Sequence, residues 1–228
     1  MAVQLHRSAR RQPATDQSTT GPITRSAPFD MKPVNYCDHH LVRPDDVMAE
    51  GKSSQPNGAD FCLCRKYRYR LWRTWGVPDQ PTKRLCLFIL LNPSTADERA
   101  DDRTVQRCRA FAQSWGFGGM DVVNLFAFRS TDPTALRGVP DPIGPSNDAA
   151  ILSALQRAEQ VVCAWGGHGT LHNRGAAVMR MLQGKGVEAF CFGRTRTGQP
   201  VHPSRLRHTS SLTRCIMLAG ASSMEDLC

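Results

Sequence analysis

Residues 85–91 read LCLFILL, and the run breaks at once into Asn92-Pro93-Ser94. Seven consecutive apolar residues leave no polar face. A strand built from them has to be covered on both sides. Pro93 cannot continue a hydrogen-bonded ladder, and an Asn-Pro pair favours a turn. Asp101-Asp102 follows, and then Val105, Cys108, Phe111, Ala112 and Trp115 recur at helical spacing. Either aspartate can cap that helix. A buried strand, a polar loop and a helix in that order form the unit of α/β folds, in which ligands bind beyond the carboxyl ends of the strands. Asn92-Pro93-Ser94 is therefore expected to form one edge of a pocket, with Asp97 close by.

The unit recurs downstream. Strands are expected over residues 121–124, 161–165 and 187–192. A helix capped by Ser146 or Asn147 buries Ile151, Leu155 and Ala158, and another runs over 173–182 and ends at Gly184. Upstream, in FCLCRKYRYRLWRTW (61–75), Tyr67, Tyr69 and Leu71 alternate with Arg68, Arg70 and Lys66. This pattern predicts a half-buried edge strand whose arginine face is solvated and guards the edge. The fold class is α/β, a three-layer α/β/α domain with a mostly parallel central sheet over residues 59–208. Residues 1–58 hold few large apolar side chains and are expected to be a disordered tail. Residues 209–228 are weakly patterned and expected to be peripheral. Right-handed crossovers place the loops after all four strands at one edge, so Asn92, Asn124, Gly166-Gly167 and His202 should converge there.

The net charge of +9 is unevenly distributed: residues 61–90 carry seven basic and one acidic side chain, and 161–228 carry eight and three. Such a field suits a polyanion or a phosphorylated ligand. No apolar run reaches membrane-spanning length, and no apolar segment follows the first arginines as a secretory signal would require. Nine cysteines without a C-x-x-C pattern point to a reducing, cytoplasmic setting. Cys37-Asp38-His39-His40 has no second ligand cluster at metal-site spacing, so no metal or other cofactor is expected.

The expected edge carries amides, hydroxyls, a histidine and arginines. The G-x-S-x-G elbow and the P-loop pattern are absent, and Gly166-Gly167-His168-Gly169 does not fit a dinucleotide fingerprint. An asparagine at a strand end offers a donor and an acceptor to a base edge, and a neutral histidine can stabilise an oxyanion. Glycine turns allow close backbone approach to a ligand or phosphate. These residues by themselves point to a nucleobase or phosphate site.

The segments YRYRLWR, LNPSTAD, DD.T..RC..FA..WG, VVNLFAFRSTDP, GP.ND and AWG.HG occur in one order over about residues 61–207. In these the chain resembles a bacterial and phage family, domain of unknown function 1643. Leu91-Asn92-Pro93, Val123-Asn124-Leu125, Trp165-Gly166 and His202-Pro203-Ser204 also resemble the ordered site motifs of the uracil-DNA glycosylase superfamily. That resemblance implies a uracil-DNA-glycosylase-like fold. It implies that Asn92 positions the attacking water, Asn124 binds the edge of an extruded base, and His202 stabilises the charge developing on that base. Ser204 would hold a phosphate and Arg205 would lie where a wedge enters the stack. The departures are Asn92 where the most active branch has aspartate, and Arg205 where a small residue or proline is usual.

The candidate set is therefore Asn92, His202 and Asp97 for catalysis. Asn124, Gly166, Gly167, Ser204 and Arg205 would bind the base or ligand, and Ser94, Arg194 and Arg196 the phosphate. The expected partner is DNA or a nucleotide, with no membrane. Three activities share this site: hydrolysis of an N-glycosidic bond in DNA or a nucleotide, binding of a nucleic acid or modified base without cleavage, and chemistry on a free nucleotide.

Overall fold

The computed structural model describes residues 56–75, 84–207 and 209–216. Seven strands form one mixed sheet: β1 (Asn57–Phe61), β2 (Arg68–Thr74), β3 (Leu85–Leu90), β4 (Gly119–Asn124), β5 (Gln160–Cys163), β6 (Ala189–Cys191) and β7 (Thr213–Arg214). Their order is β1-β2-β4-β3-β5-β6-β7. The helices are α1 (Arg103–Ser114), α2 (Asn147–Leu155) and α3 (Arg174–Gly184), with 3-10 turns at Pro133–Gly138, Gly167–Asn173 and Pro203–Arg205.

The apolar run forms β3, at the centre of the sheet. Leu87 and Ile89 pack on one face with Ile151, Ala154, Val178 and Leu182 of α2 and α3. Cys86, Phe88 and Leu90 pack on the other with Val105, Cys108, Phe111 and Ala112 of α1. Helix α1 starts where Asp102 Oδ1 accepts the Val105 amide at 2.9 Å, and the chain leaves it through Gly116 at φ +78°. Asp101 is not the cap; it pairs instead with Arg73. At α2 neither expected cap acts: Ser146 occupies the cap position without a side-chain bond, and the Asn147 amide is used elsewhere.

Strands β3 to β6 run parallel in the order β4-β3-β5-β6. Their carboxyl ends share one edge, as the alternation of strands and helices requires. The sheet is less parallel than expected, because β1, β2 and β7 add three antiparallel pairings. The larger correction concerns β2. It is an interior strand between β1 and β4, and Arg68 and Arg73 are each only 2 % exposed. Burial of these cations is tolerated because carbonyls face them. Arg73 donates to the Gly58, Trp72 and Asp97 carbonyls and pairs with Asp101. Alternation alone cannot distinguish a solvated arginine from one that meets carbonyls.

The expected tail, residues 1–58, lies outside the described residues except at 56–58. Asn57 and Gly58 belong to β1, so the sheet begins slightly earlier than the expected boundary. Past Thr209 the chain adds the two-residue edge strand β7, and Cys215 is buried behind it. No helix among the described residues is long and apolar enough to cross a membrane.

Candidate functional site

The loop leaving β3 is pinned by its own polar residues. Asn92 Nδ2 donates to the Ser130 carbonyl at 2.8 Å and to the Pro93 carbonyl at 3.0 Å. The Ser130 amide returns a bond to the Pro93 carbonyl at 2.9 Å. Asn92 thus ties the loop after β3 to the loop after β4, and its Oδ1 has no hydrogen bond among the described residues. Asp97 closes the far end: one carboxylate oxygen accepts the Arg99 and Ala100 amides at 2.8 and 2.9 Å. Those two amides hold its carboxyl below the ordinary range, helped by Arg65 and Arg129.

Asn124 ends β4 and is 1 % exposed. Its Oδ1 accepts from Arg68 Nη2 at 3.2 Å, and Arg68 Nη1 donates to the Ala96 carbonyl at 3.0 Å. One buried guanidinium therefore connects the loop after β3 to the end of β4. Burial pulls the Arg68 pKa down to about 10, against the negative charge of Asp102. Two donors in this cluster stay buried without an acceptor, Arg68 Nε and Asn124 Nδ2. Asn147 holds the backbone beneath them, its Nδ2 donating to the Asn124 and Leu125 carbonyls at 3.0 and 2.9 Å. Arg174 Nε donates to the same Leu125 carbonyl, and the rest of its guanidinium pairs with Asp148.

Gly166 follows β5 with φ +75° and ψ −175°, a conformation essentially closed to other residues. A Cβ there would stand 3.3 Å from the His202 Cβ, so this glycine lets the histidine approach the end of β5. Its amide donates to the Pro200 carbonyl at 2.8 Å. Gly167 is exposed beside Thr197. His202 precedes the Pro203–Arg205 turn, and its Nδ1 accepts the Ser204 amide at 3.3 Å, with Ser204 Oγ at 3.0 Å. An accepting Nδ1 puts the proton of the neutral ring on Nε2. Burial lowers the imidazole pKa from its ordinary value, with Asp102 pulling the other way. The ring is therefore neutral near pH 7 and presents Nε2–H. Ser204 is exposed and Arg205 closes the turn.

Asn92, Asn124, Gly166 and His202 thus all stand at the carboxyl edge of the parallel strands. Among the described residues no hydrogen bond joins the two asparagines and the histidine to one another. The proposed phosphate ligands do not share one place. Ser94 lines a cleft of about 360 Å³ with Arg129 and Ser130. Arg194 lines a separate cavity of about 200 Å³ beside Trp165 and Gln199. Arg196 is exposed. Trp165 is 1 % exposed and donates its Nε1–H to Gln199, so it is a core residue and not a stacking platform.

The profile described as protein of unknown function (DUF1643) matches residues 68–204, more than half of the chain. The chain belongs to the DUF1643 family. No curated protein and no solved structure matches it, so the more remote likeness to uracil-DNA glycosylases has no support from comparison. Within the DUF1643 span several of the motif residues have structural work. In GP.ND, Gly144 at φ +87° leaves room for Tyr67 and Tyr69, Asn147 holds the end of β4, and Asp148 pairs with Arg174. Sequence reasoning missed Arg68, which looked like one of several surface arginines, and Asp102, whose charge acts on both Arg68 and His202. The available signal was Arg68's place at the start of a strand whose other face is aromatic.

Proposed function

We propose that the carboxyl edge of β3, β4 and β5 recognises a nucleobase through its carbonyl edge, and that the protein hydrolyses an N-glycosidic bond in DNA or a nucleotide. One observation carries this. A neutral His202 presents Nε2–H at the edge where Arg68 Nε and Asn124 Nδ2 are buried donors without acceptors. A buried donor left unpaired costs about 1–3 kcal/mol, and a carbonyl oxygen admitted to it by a shift of the loops after β3 and β4 removes that cost. The four parallel strands, with helices on both faces and motif residues at their carboxyl ends, are consistent with the uracil-DNA-glycosylase-like fold that the motif order implies.

In this reading the bond between the base nitrogen and the sugar C1′ breaks, and its electron pair moves onto the base. His202 Nε2–H stabilises the negative charge on the base carbonyl oxygen. Asn92 Oδ1 accepts a hydrogen from a water and orients that water at C1′. The water oxygen bonds to C1′, and its released proton ends on the departing base. Asn124 and Arg68 hold the base edge. Asp97, with one oxygen tied to its own loop, keeps the loop that carries Asn92 in place.

The experiment is incubation of the protein with DNA carrying deaminated or alkylated bases, scored for abasic product. His202→Ala is expected to lower the rate by about 10²- to 10³-fold, the usual loss for an oxyanion donor. Product formed at equal rates by wild type, His202→Ala and Asn92→Ala would sink the assignment. A second reading, binding of the base without cleavage, is favoured by the structural commitment of the Asn92 amide nitrogen and the absence of a carboxylate at position 92. Retention of base-modified DNA in a gel shift with no abasic product selects it. Melting shifts with free nucleotides alone select an enzyme of the nucleotide pool.

A further inference from the structure

The cleft that holds Ser94 joins two of the ordered motifs, LNPSTAD and VVNLFAFRSTDP, to the turn that precedes YRYRLWR. It lies where three segments meet: the turn between β1 and β2 (Arg65, Lys66), the loop after β3 (Ser94) and the loop after β4 (Arg129, Ser130, Thr131). The segments are bonded to one another. The Arg129 amide donates to the Lys66 carbonyl at 2.9 Å, and Arg129 Nη1 reaches the Arg65 carbonyl at 3.4 Å. Asn92 and Pro93 hold the Ser130 backbone from the other side. The cleft floor is therefore built from bonded backbone, with the Lys66 and Thr131 side chains exposed at its rim.

Its charge is unbalanced. Arg65 is neutralised by a two-pronged pair with Glu98, at 2.7 and 2.9 Å. Arg129 and Lys66 form no salt bridge among the described residues. The Arg65 and Arg129 guanidiniums both lie over the Phe61 ring, at 4.0 and 4.9 Å from its centroid. Glu98 compensates Arg65, which leaves Arg129 as the guanidinium on this ring without a paired carboxylate among the described residues. Arg129 Nε is also buried without an acceptor. The hydroxyls of Thr131 and, opposite it, Ser94 complete a donor set with the composition of an oxyanion site, while Ser130 Oγ is spent on its own loop, donating to the Asp132 carbonyl at 2.7 Å.

We infer that this cleft binds a phosphate group, through Arg129 and Lys66 with the hydroxyls of Ser94 and Thr131. The inference rests on the nucleobase reading above only for what the phosphate is attached to. Asn92 bonds to the Ser130 carbonyl of the cleft wall and is itself the residue proposed to place the water, so a phosphate held here lies next to the proposed chemistry. Arg65 is a positioning residue: held by Glu98, it supplies the carbonyl that orients Arg129.

The test uses the full chain and two probes. The first is fluorescence anisotropy with a labelled single-stranded oligonucleotide of ordinary bases, titrated at several salt concentrations. The second is competition by inorganic phosphate and a nucleoside monophosphate. Lys66→Gln and Arg129→Gln are each expected to weaken oligonucleotide binding about tenfold. Each should also reduce the slope of log affinity against log salt by about 0.7, the value for one phosphate contact on a single strand. Arg129→Lys keeps the charge and should keep most of the slope, which separates lost charge from a damaged fold. Competition by monophosphate assigns the phosphate to a free nucleotide, and oligonucleotide binding without such competition assigns it to a nucleic-acid backbone. Wild-type affinity and slope in both glutamine variants, or no binding of either probe, overturns the inference. The abasic-product assay reads the base site and this titration reads the cleft, so failure of one leaves the other standing.

Discussion

His202 shows how much one hydrogen bond decides. The Ser204 amide takes Nδ1, which leaves Nε2–H as the only hydrogen the neutral ring can offer. Burial lowers the folded-state pKa below the ordinary 6.5. The unfolded chain then binds more protons than the folded one as pH falls below about 6.5. The stability contributed by the neutral ring is fully present above that pH and is lost as pH falls through the folded value. Urea unfolding at pH 7.5 and pH 5 is expected to show a larger acid loss for wild type than for His202→Gln. Equal losses would assign the pH dependence to other groups. Arg68 poses the opposite problem: a full charge stays buried, with two carbonyl-type acceptors and no carboxylate bonded to it.

At the scale of elements, the start of α1 does two jobs. Asp102 caps the helix through the Val105 amide, and its charge acts on Arg68 and His202, which come from β2 and from the turn after β6. The two jobs separate by substitution. Asp102→Asn keeps an oxygen for the cap and removes the charge, so its cost, about 1 kcal/mol, reads the lost attraction to the buried Arg68 and to the helix N-terminus. The His202 pKa should fall further, because the charge that favours imidazolium is gone. Asp102→Ala loses the cap as well and should cost about 1 kcal/mol more. An NMR titration of the His202 ring with urea unfolding of both variants checks this. An unchanged His202 pKa in Asp102→Asn would show that the two groups do not communicate.

Across the whole molecule, much of the basic excess of residues 61–90 is paired within the fold. In the segment from 61 to 90 that carries it, Arg65 pairs with Glu98, Arg70 with Asp121, Arg73 with Asp101 and Arg84 with Glu159, while Arg68 is buried among acceptors. The charge that looked like a nucleic-acid footprint is thus mostly a set of ties between strands and loops. Asp121, 2 % exposed at the middle of the sheet, is the clearest of these. Arg70 of β2 bonds it with two prongs, and Arg157 past the end of α2 reaches it at 3.3 Å. Asp121→Ala leaves two cations without their partner and is expected to cost about 3–5 kcal/mol. Adding Arg70→Met should recover part of that loss, because the stranded charge is removed with its partner. Chemical denaturation of the single and double variants measures both, and a double variant no more stable than the single would show that the pair is not the source.

The sequence by itself determined the four parallel strands, the helices between them and the edge at which Asn92, Asn124, Gly166 and His202 lie. These follow from local properties: an unbroken apolar run needs cover on both faces, helical spacing makes one buried face, and crossover handedness places the loops. Only the tertiary structure decided what those side chains touch. That β2 is interior, that Asn124 is bonded to a buried arginine, that Asp102 and not Asp101 caps α1, and that Ser94 meets Arg129 and not Arg194 all depend on long-range partners. An arginine or an amide reads the same in a sequence whether water or a carbonyl waits across from it, and the contacts that decide between them join residues such as Arg68 and Asn124, 56 positions apart.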